Sequence, residues 1–393
     1  MTYARARLWL GICGVGFWVT LSAAMLYFAM PARLFSPQSD SFLSDIRSLS
    51  IFLTTYIVLS FPFDFLGGYW LPHRFHRLAP TWSRFLFTLA RGVIGQALIM
   101  LGVGVVLLTA GRTGGRFGAT IAVIFLMFGL LVLQGALARW IGALRSVSMD
   151  LQPYRAIVDS WNIPLPPKIN IFEVTDSAFV GGWVGLPGRE CLILPSKWFH
   201  SQSRVLQLPA LSVEAVALQI SRRVGVLQSG SRSRGILLAL VWNVGGFYLA
   251  TFLPGAGVNS VAEIISTACG FTLWSFVGLL LLPSLSRPGV LAGDYFALQR
   301  GISPTLFEKT ITILDKLQDD EPARSAGIET IFHPIPSVES RLALLRKNSS
   351  EPIGAWQSAR VALFLSWGCL GLLSRAVHCN CGRPELWVLF PGD

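Results

Sequence analysis

The chain has 393 residues, of which 52% are hydrophobic and only 13% charged. Soluble globular domains carry about a quarter charged residues, so this balance excludes an ordinary soluble protein and points to lipid. The net charge of +11 is no nucleic-acid signature, because the basic residues cluster beside the hydrophobic segments rather than forming a tail of their own.

The first uncharged run, Leu8–Met30, is 23 residues long, enough to cross a hydrocarbon core of about 30 Å. It exceeds a signal-peptide core and reads as a retained anchor. Leu49–Leu71, Phe85–Ala110 and Phe117–Ala138 follow, so residues 1–144 predict a membrane bundle of four helices. Asp64 and Arg91 fall inside two of these runs near helix ends, where a snorkelling side chain is expected. Residues 145–234 are polar and long enough to fold. Gly235–Pro254 and Ile264–Leu285 then predict a transmembrane hairpin within 235–285, followed by a second polar stretch, 286–352. Residues 353–393 hold a seventh uncharged run, Val361–Ser374, short enough to suit either a crossing or an interfacial position, and a tail expected outside. With the amino terminus inside, Arg5 and Arg7, then Arg74, Arg77 and Arg84, then Arg139 and Arg145, then Arg232 and Arg234 all fall on the cytoplasmic side. That asymmetry is the positive-inside pattern and places 145–234 and 286–352 in the cytoplasm, where they build one domain together.

Within the first polar stretch, Pro164, Pro166 and Pro167 lead into a strand over Lys168–Val174, and Glu190–Leu194 predicts a second strand after a turn at Ser177–Gly182. Ser212 is a good N-cap for a helix running to Gln228, which Gly230 stops. In the second stretch, Gly293–Arg300, Pro304–Leu317 and Val338–Lys347 have helical periodicity. The six cysteines are scattered and read as packing residues. Cys379 and Cys381 form a lone C-x-C with no further ligands nearby, short of what a metal site needs.

The Ser212 helix reads Glu214-Ala-Val-Ala-Leu-Gln219-Ile220-Ser221-Arg222-Arg223-Val224. This resembles the active-site helix E-A-V-L-A-H-E-L-G-H-I of the HtpX and CAAX prenyl protease family of membrane zinc metallopeptidases. Ser177-Ala178-Phe179 with Gly181 resembles the family's upstream N-A-F…G motif, and the hydrophobic hairpin lies where the family places its own. Ser286-Arg287-x-x-Val290-x-x-Gly293-Asp294 resembles S-R-x-x-E-x-x-A-D, and His333-Pro334 with Arg341 resembles the late H-P…R element. The resemblance covers about Pro164 to Lys347. It implies a polytopic α-helical membrane protein whose cytoplasmic, mainly α (α+β) zincin-like domain is interrupted by a transmembrane hairpin, in a bacterial cytoplasmic membrane.

The resemblance also implies zinc, yet the residues that would hold it are absent. In an H-E-x-x-H helix two histidines four apart share one face and bind the metal, while the glutamate is general base. Gln219, Ile220 and Arg223 stand at those three positions and Val290 at the third ligand's. Glutamine is a poor zinc ligand, isoleucine takes no proton, arginine repels a cation, and valine has no donor atom. No catalytic residue, metal or other cofactor is therefore expected. His73 and His76 belong to a basic loop, His200 follows Trp198-Phe199, and the acidic run Asp319-Asp320-Glu321 suits a solvated loop. Of the family's positions Asp294, His333 and Arg341 are retained, and Asp294 is expected to pair with Arg223 or Arg222 in the metal's place. The expected function is that of an inactive homologue serving as a binding or regulatory scaffold. Its partners are the lipid bilayer and membrane proteins or peptides, with no nucleic acid. A peptide would add to an edge strand at Glu190–Leu194, in a groove formed by Phe179, Gly181, Trp183 and Ile193. The alternatives are an active zinc endopeptidase with a non-standard site and a non-enzymatic structural membrane protein. A transporter ranks lowest, because the spans carry few polar groups, Asn243 and Glu263 chief among those of the hairpin.

Overall fold

In this computed structural model, residues 1–35, 41–77, 79–199, 211–318, 324–346 and 352–389 are described; His200 and the run 319–321 lie outside them. In chain order the elements are α1 (Tyr3–Tyr27), α2 (Met30–Leu34), α3 (Phe42–Phe65), α4 (Leu71–Arg74), α5 (Trp82–Gly142), β1 (Arg145–Val147), α6 (Gln152–Ser160), β2 (Ile169–Glu173), β3 (Gly182–Val184) and β4 (Cys191–Pro195). Then come α7 (Val213–Gln228), α8 (Ser231–Ala250), α9 (Val261–Gln299), α10 (Pro304–Leu317), α11 (Ala326–Phe332), α12 (Val338–Arg346) and α13 (Ser358–Leu365). The chain divides into two compact units: residues 1–142, 239–279 and 360–388 form the first, and 143–238, 280–359 and 389–393 the second.

The first unit is the membrane unit. Five helices among the described residues are long and apolar enough to cross a bilayer: Tyr3–Tyr27, Phe42–Arg74, Trp82–Gly142, Ser231–Ala250 and Val261–Gln299. Helices suit this role because every internal backbone group is bonded within the segment, leaving none to face lipid. Phe42–Arg74 is α3 continued through a π-helical turn at Leu66–Trp70 into α4. The helix Trp82–Gly142 is broken at Gly115, whose φ of 59° and ψ of −155° no helical residue adopts. Its two arms are the predicted segments Phe85–Ala110 and Phe117–Ala138. Outward faces carry large exposed apolar side chains such as Trp9, Ile94, Phe125 and Leu249. Arg112 donates to both carboxylate oxygens of Asp45 and to the Asn259 carbonyl at 3.0 Å, tying α5 to α3 and to the loop before α9.

Two expectations are corrected here. Asp64 does not snorkel: it is 1% exposed and forms a salt bridge with the Arg375 guanidinium, while the Gly382 N–H donates to its other oxygen at 2.8 Å. Arg91, by contrast, is half-buried and stacks on the Phe87 ring. The C-terminal segment is enclosed by protein rather than exposed as a free hydrophobic run or tail. Residues 360–388 belong to the membrane unit, and Phe364, Leu365, Trp367, Cys381 and Leu386 in it have no exposed surface. A short helix cannot span a bilayer, and protein encloses it instead.

The second unit is a small sheet with helices. Its strand order is β1-β2-β4-β3, with β2 and β4 parallel and the other pairs antiparallel. β4 is therefore an inner strand, bonded on both sides. The expected edge at Glu190–Leu194 is corrected, since the edges are β1 and β3. β4 has all five residues buried, the signature of a strand covered on both faces. Its core joins Leu192 and Leu194 to Val216 and Ile220 of α7, Trp183, Trp198 and Val290. Gly293–Arg300 is not a separate helix, because α9 runs on unbroken through Pro283 and Pro288 to Gln299.

Candidate functional site

α7 begins where its sequence says it should. The Ser212 hydroxyl accepts from the Ala215 N–H at 3.2 Å, closing one of the orphan donors of the first turn. Glu214 in that turn is held below the usual carboxylate range by its own backbone N–H and by the Ser212 hydroxyl, in the sense expected of an acid at a helix N-terminus. Because its folded pKa is lowered, this contribution is present above the unfolded carboxylate pKa and is lost as pH falls through the folded one. From Ala215 to Val226 every residue of α7 is buried. A helix so enclosed cannot carry polar groups without partners, and the partners define the site.

Asp294, on α9, has no exposed surface and takes two guanidinium groups. Arg222 approaches it with Nε at 2.7 Å and Nη2 at 2.6 Å from Oδ1. Arg341, from α12, places Nε 2.8 Å from Oδ2 and Nη2 2.8 Å from Oδ1. The planar Arg341 fork meets both carboxylate oxygens in a bidentate way that a lysine does not reproduce, while Arg222 brings two nitrogens to Oδ1 alone. The Phe307 ring of α10 lies near both, with centroids 5.9 Å from the Arg222 Cζ and 5.6 Å from the Arg341 Cζ. Gln219 joins the cluster as an acceptor, its Oε1 receiving the Arg222 Nη1–H at 2.9 Å.

Arg223 serves a different purpose. Its Nη2 donates to the Val180 carbonyl at 2.6 Å and its Nη1 to the Ile193 carbonyl at 3.4 Å, while its Cζ sits 5.2 Å from the Trp198 ring. Trp183 returns a bond from its Nε1 to the Arg223 carbonyl at 2.9 Å. So Arg222, rather than Arg223, reaches Asp294, and Arg223 ties α7 to the sheet. Val180 and Trp198 are partners of Arg223 that no motif in the sequence marks.

The residues expected to line a peptide groove stand elsewhere than in a cleft. Phe179 has no exposed surface, and Trp183 and Ile193 have 3% and 1%. Gly181 has a φ of +74°, and a Cβ there would collide with the Ile193 carbonyl. Glycine is required because β3 starts against β4 with no room for a side chain. The groove at these four residues is corrected to packed core. His333 is buried and follows α11, its N–H donating to the Glu329 carbonyl at 3.3 Å. His73 and His76 are exposed, but His73 lies on helix α4 rather than in the expected loop, its ring nitrogen 2.7 Å from the Tyr69 carbonyl.

The donor set does not fit zinc. Ile220 and Val290 are core residues. Gln219 turns its oxygen to Arg222, so the amide nitrogen it presents, which finds no acceptor among the described residues, is a donor that a cation does not satisfy. The nearby carboxylate, Asp294, is occupied by two fixed positive charges. A divalent ion 4 Å from one guanidinium would be repelled by about 8 kcal/mol at an effective dielectric of ~20. Among the described residues no three His, Cys, Asp or Glu side chains group as metal ligands.

Cys191, in β4, supplies a reporter for this unit. It is 7% exposed, and burial pushes its thiol up from the usual range, with Lys168 and the Asn170 N–H opposing. The thiolate is the reactive form. Cys191 is therefore expected to resist maleimide labelling at pH 7.5 in the folded protein and to label at least tenfold faster once the second unit is unfolded, as mass spectrometry of the labelled peptide would show.

No family profile matches this sequence, and no curated protein matches it at the sequence level. A solved structure does: the crystal structure of S. mikatae Ste24p matches with a TM-score of 0.63 at 11% identity, over 84% of this chain and 80% of that one. At that identity the likeness speaks for the fold, and together with the five apolar helices it makes this chain a polytopic membrane protein with a Ste24p-like fold.

Proposed function

We propose that this protein is a catalytically inactive, metalloprotease-like scaffold in the membrane, with a degenerate H-E-x-x-H helix at Gln219–Arg223. The observation that carries this reading is the Asp294 carboxylate held by Arg222 and Arg341. In zinc peptidases of the plan the sequence resembles, a carboxylate at this place supports a metal-bound histidine from behind. Here two guanidinium groups satisfy it, so the fold keeps its acid and substitutes an ion cluster for the metal. Hydrolysis of a peptide would need an activated water, and this face of α7 presents an amide, an aliphatic chain and two arginines.

A scaffold of this kind does not bind its partner by strand addition at β4, which is paired on both sides. Partners in the membrane, with residues 145–234 and 286–352 on the cytoplasmic side, complete the proposal. Its test is elemental: protein purified after growth in zinc-supplemented medium, and dialysed without chelator, is expected to hold fewer than about 0.1 zinc per chain. Stoichiometric zinc that Gln219→Ala or Asp294→Asn removes would overturn the reading.

A further inference from the structure

The spans contain few polar side chains, and the structure gives an unusual share of them one task. Arg7 of α1 donates to the His378 carbonyl at 2.6 Å. Tyr56 of α3 donates to the Leu372 carbonyl at 3.2 Å, and Asp64 of the same helix accepts from the Gly382 N–H and pairs with Arg375. Gln96 and Gln134 of α5 donate to the Ser374 hydroxyl at 3.1 Å and the Val388 carbonyl at 3.3 Å. Asn243 of α8 donates to the Ala362 carbonyl at 3.0 Å, and Thr272 of α9 accepts from the Leu372 N–H at 3.4 Å. Every one of the five spanning helices thus lends a polar group to residues 360–388.

Most of these bonds go to backbone. That matters in a bilayer, where an irregular segment has unpaired N–H and C=O groups and no water to meet them. Steric fit follows the same pattern. A Cβ on Gly11 would lie 2.5 Å from the His378 nitrogen, one on Gly67 2.5 Å from the Cys381 oxygen, and one on Gly92 2.5 Å from the Pro384 Cβ. Helices α1, α5 and the turn after α3 are notched where the segment passes.

We propose that residues 360–388 are a built-in plug, and that the interior of the membrane unit is a polypeptide-binding site whose ligand is this segment of the same chain. The Asp64–Arg375 pair is its latch, reinforced by Arg375 Cζ lying 5.4 Å from the Tyr56 ring and 5.0 Å from the Trp387 ring. While the plug is seated, its large side chains Phe364, Trp367 and Trp387 are buried within the unit and occupy the place another chain would need. The inference rests on the membrane unit alone and stands or falls independently of the metal site.

The test uses the full chain in lipid nanodiscs, with a protease site inserted beside Ile353, which is 83% exposed. After cleavage the C-terminal fragment is expected to remain bound through affinity purification of the N-terminal part. Asp64→Ala is expected to release it at least tenfold faster. Gln96→Leu, which strands no charge and so does not endanger folding, is expected to give a smaller, two- to fivefold acceleration. Prompt loss of the fragment from the unaltered protein, or equal retention in all three, would overturn the proposal. Helical circular dichroism serves as the folding control for the membrane unit, and protection of Cys191 as the control for the second unit.

Discussion

Asp294→Ala is expected to lower the stability of the second unit by about 3–5 kcal/mol, because it leaves the Arg222 and Arg341 guanidinium groups buried without their counter-charge. Domains have about 5–15 kcal/mol in total, so a loss of this size puts the unit near its unfolding threshold. The informative comparison is with a variant that removes every charge together. Arg222→Met, Asp294→Leu and Arg341→Leu combined eliminate the desolvation cost along with the attraction, and are expected to recover most of the loss. Chemical denaturation followed by Cys191 labelling measures both. A triple variant less stable than Asp294→Ala would show that the cluster contributes more than charge neutrality.

The second large effect belongs to the membrane unit. Arg375→Ala deprives Asp64 of its counter-charge at a site 1% exposed, with a cost of about 3–5 kcal/mol. For a unit of this size that corresponds to a fall of about 6–20 °C in the unfolding midpoint. Arg375→Lys is expected to recover only part of it, since an ammonium lacks the planar fork and its stacking on Tyr56 and Trp387. Asp64→Leu with Arg375→Leu is expected to recover most. Thermal unfolding in detergent micelles, read by helical signal and by Cys381 labelling, distinguishes these outcomes.

The parts of this fold legible in the sequence are those fixed by local rules. Uncharged runs longer than a bilayer is thick give the spans, and Ser212 with Gly230 gives the two ends of α7. What composition does not carry is which distant residue answers a buried charge. Asp64 reads as a snorkelling acid until Arg375, 311 positions away, is placed beside it. For the same reason Val361–Ser374 is ambiguous, because the polar groups that make its burial possible are scattered over five helices. β4 looks like an edge because β3 is three residues long and its Gly182-Trp183-Val184 carries no alternation. At the site, spacing of four points to Gln219 and Arg223 as a shared face, but Arg222 is long enough at spacing three to reach the same partner. The helix face was legible, and the division of labour between two adjacent arginines was not.

The seated C-terminal segment also sets an order of events during biosynthesis. Residues 360–388 leave the ribosome after all five spanning helices, at about 5–20 residues per second. For several seconds after α9 is made, Arg7, Asp64, Gln96 and Asn243 face a membrane interior without the backbone that later meets them. The bundle can lock through these bonds only once residues 360–388 have been made and inserted among the helices.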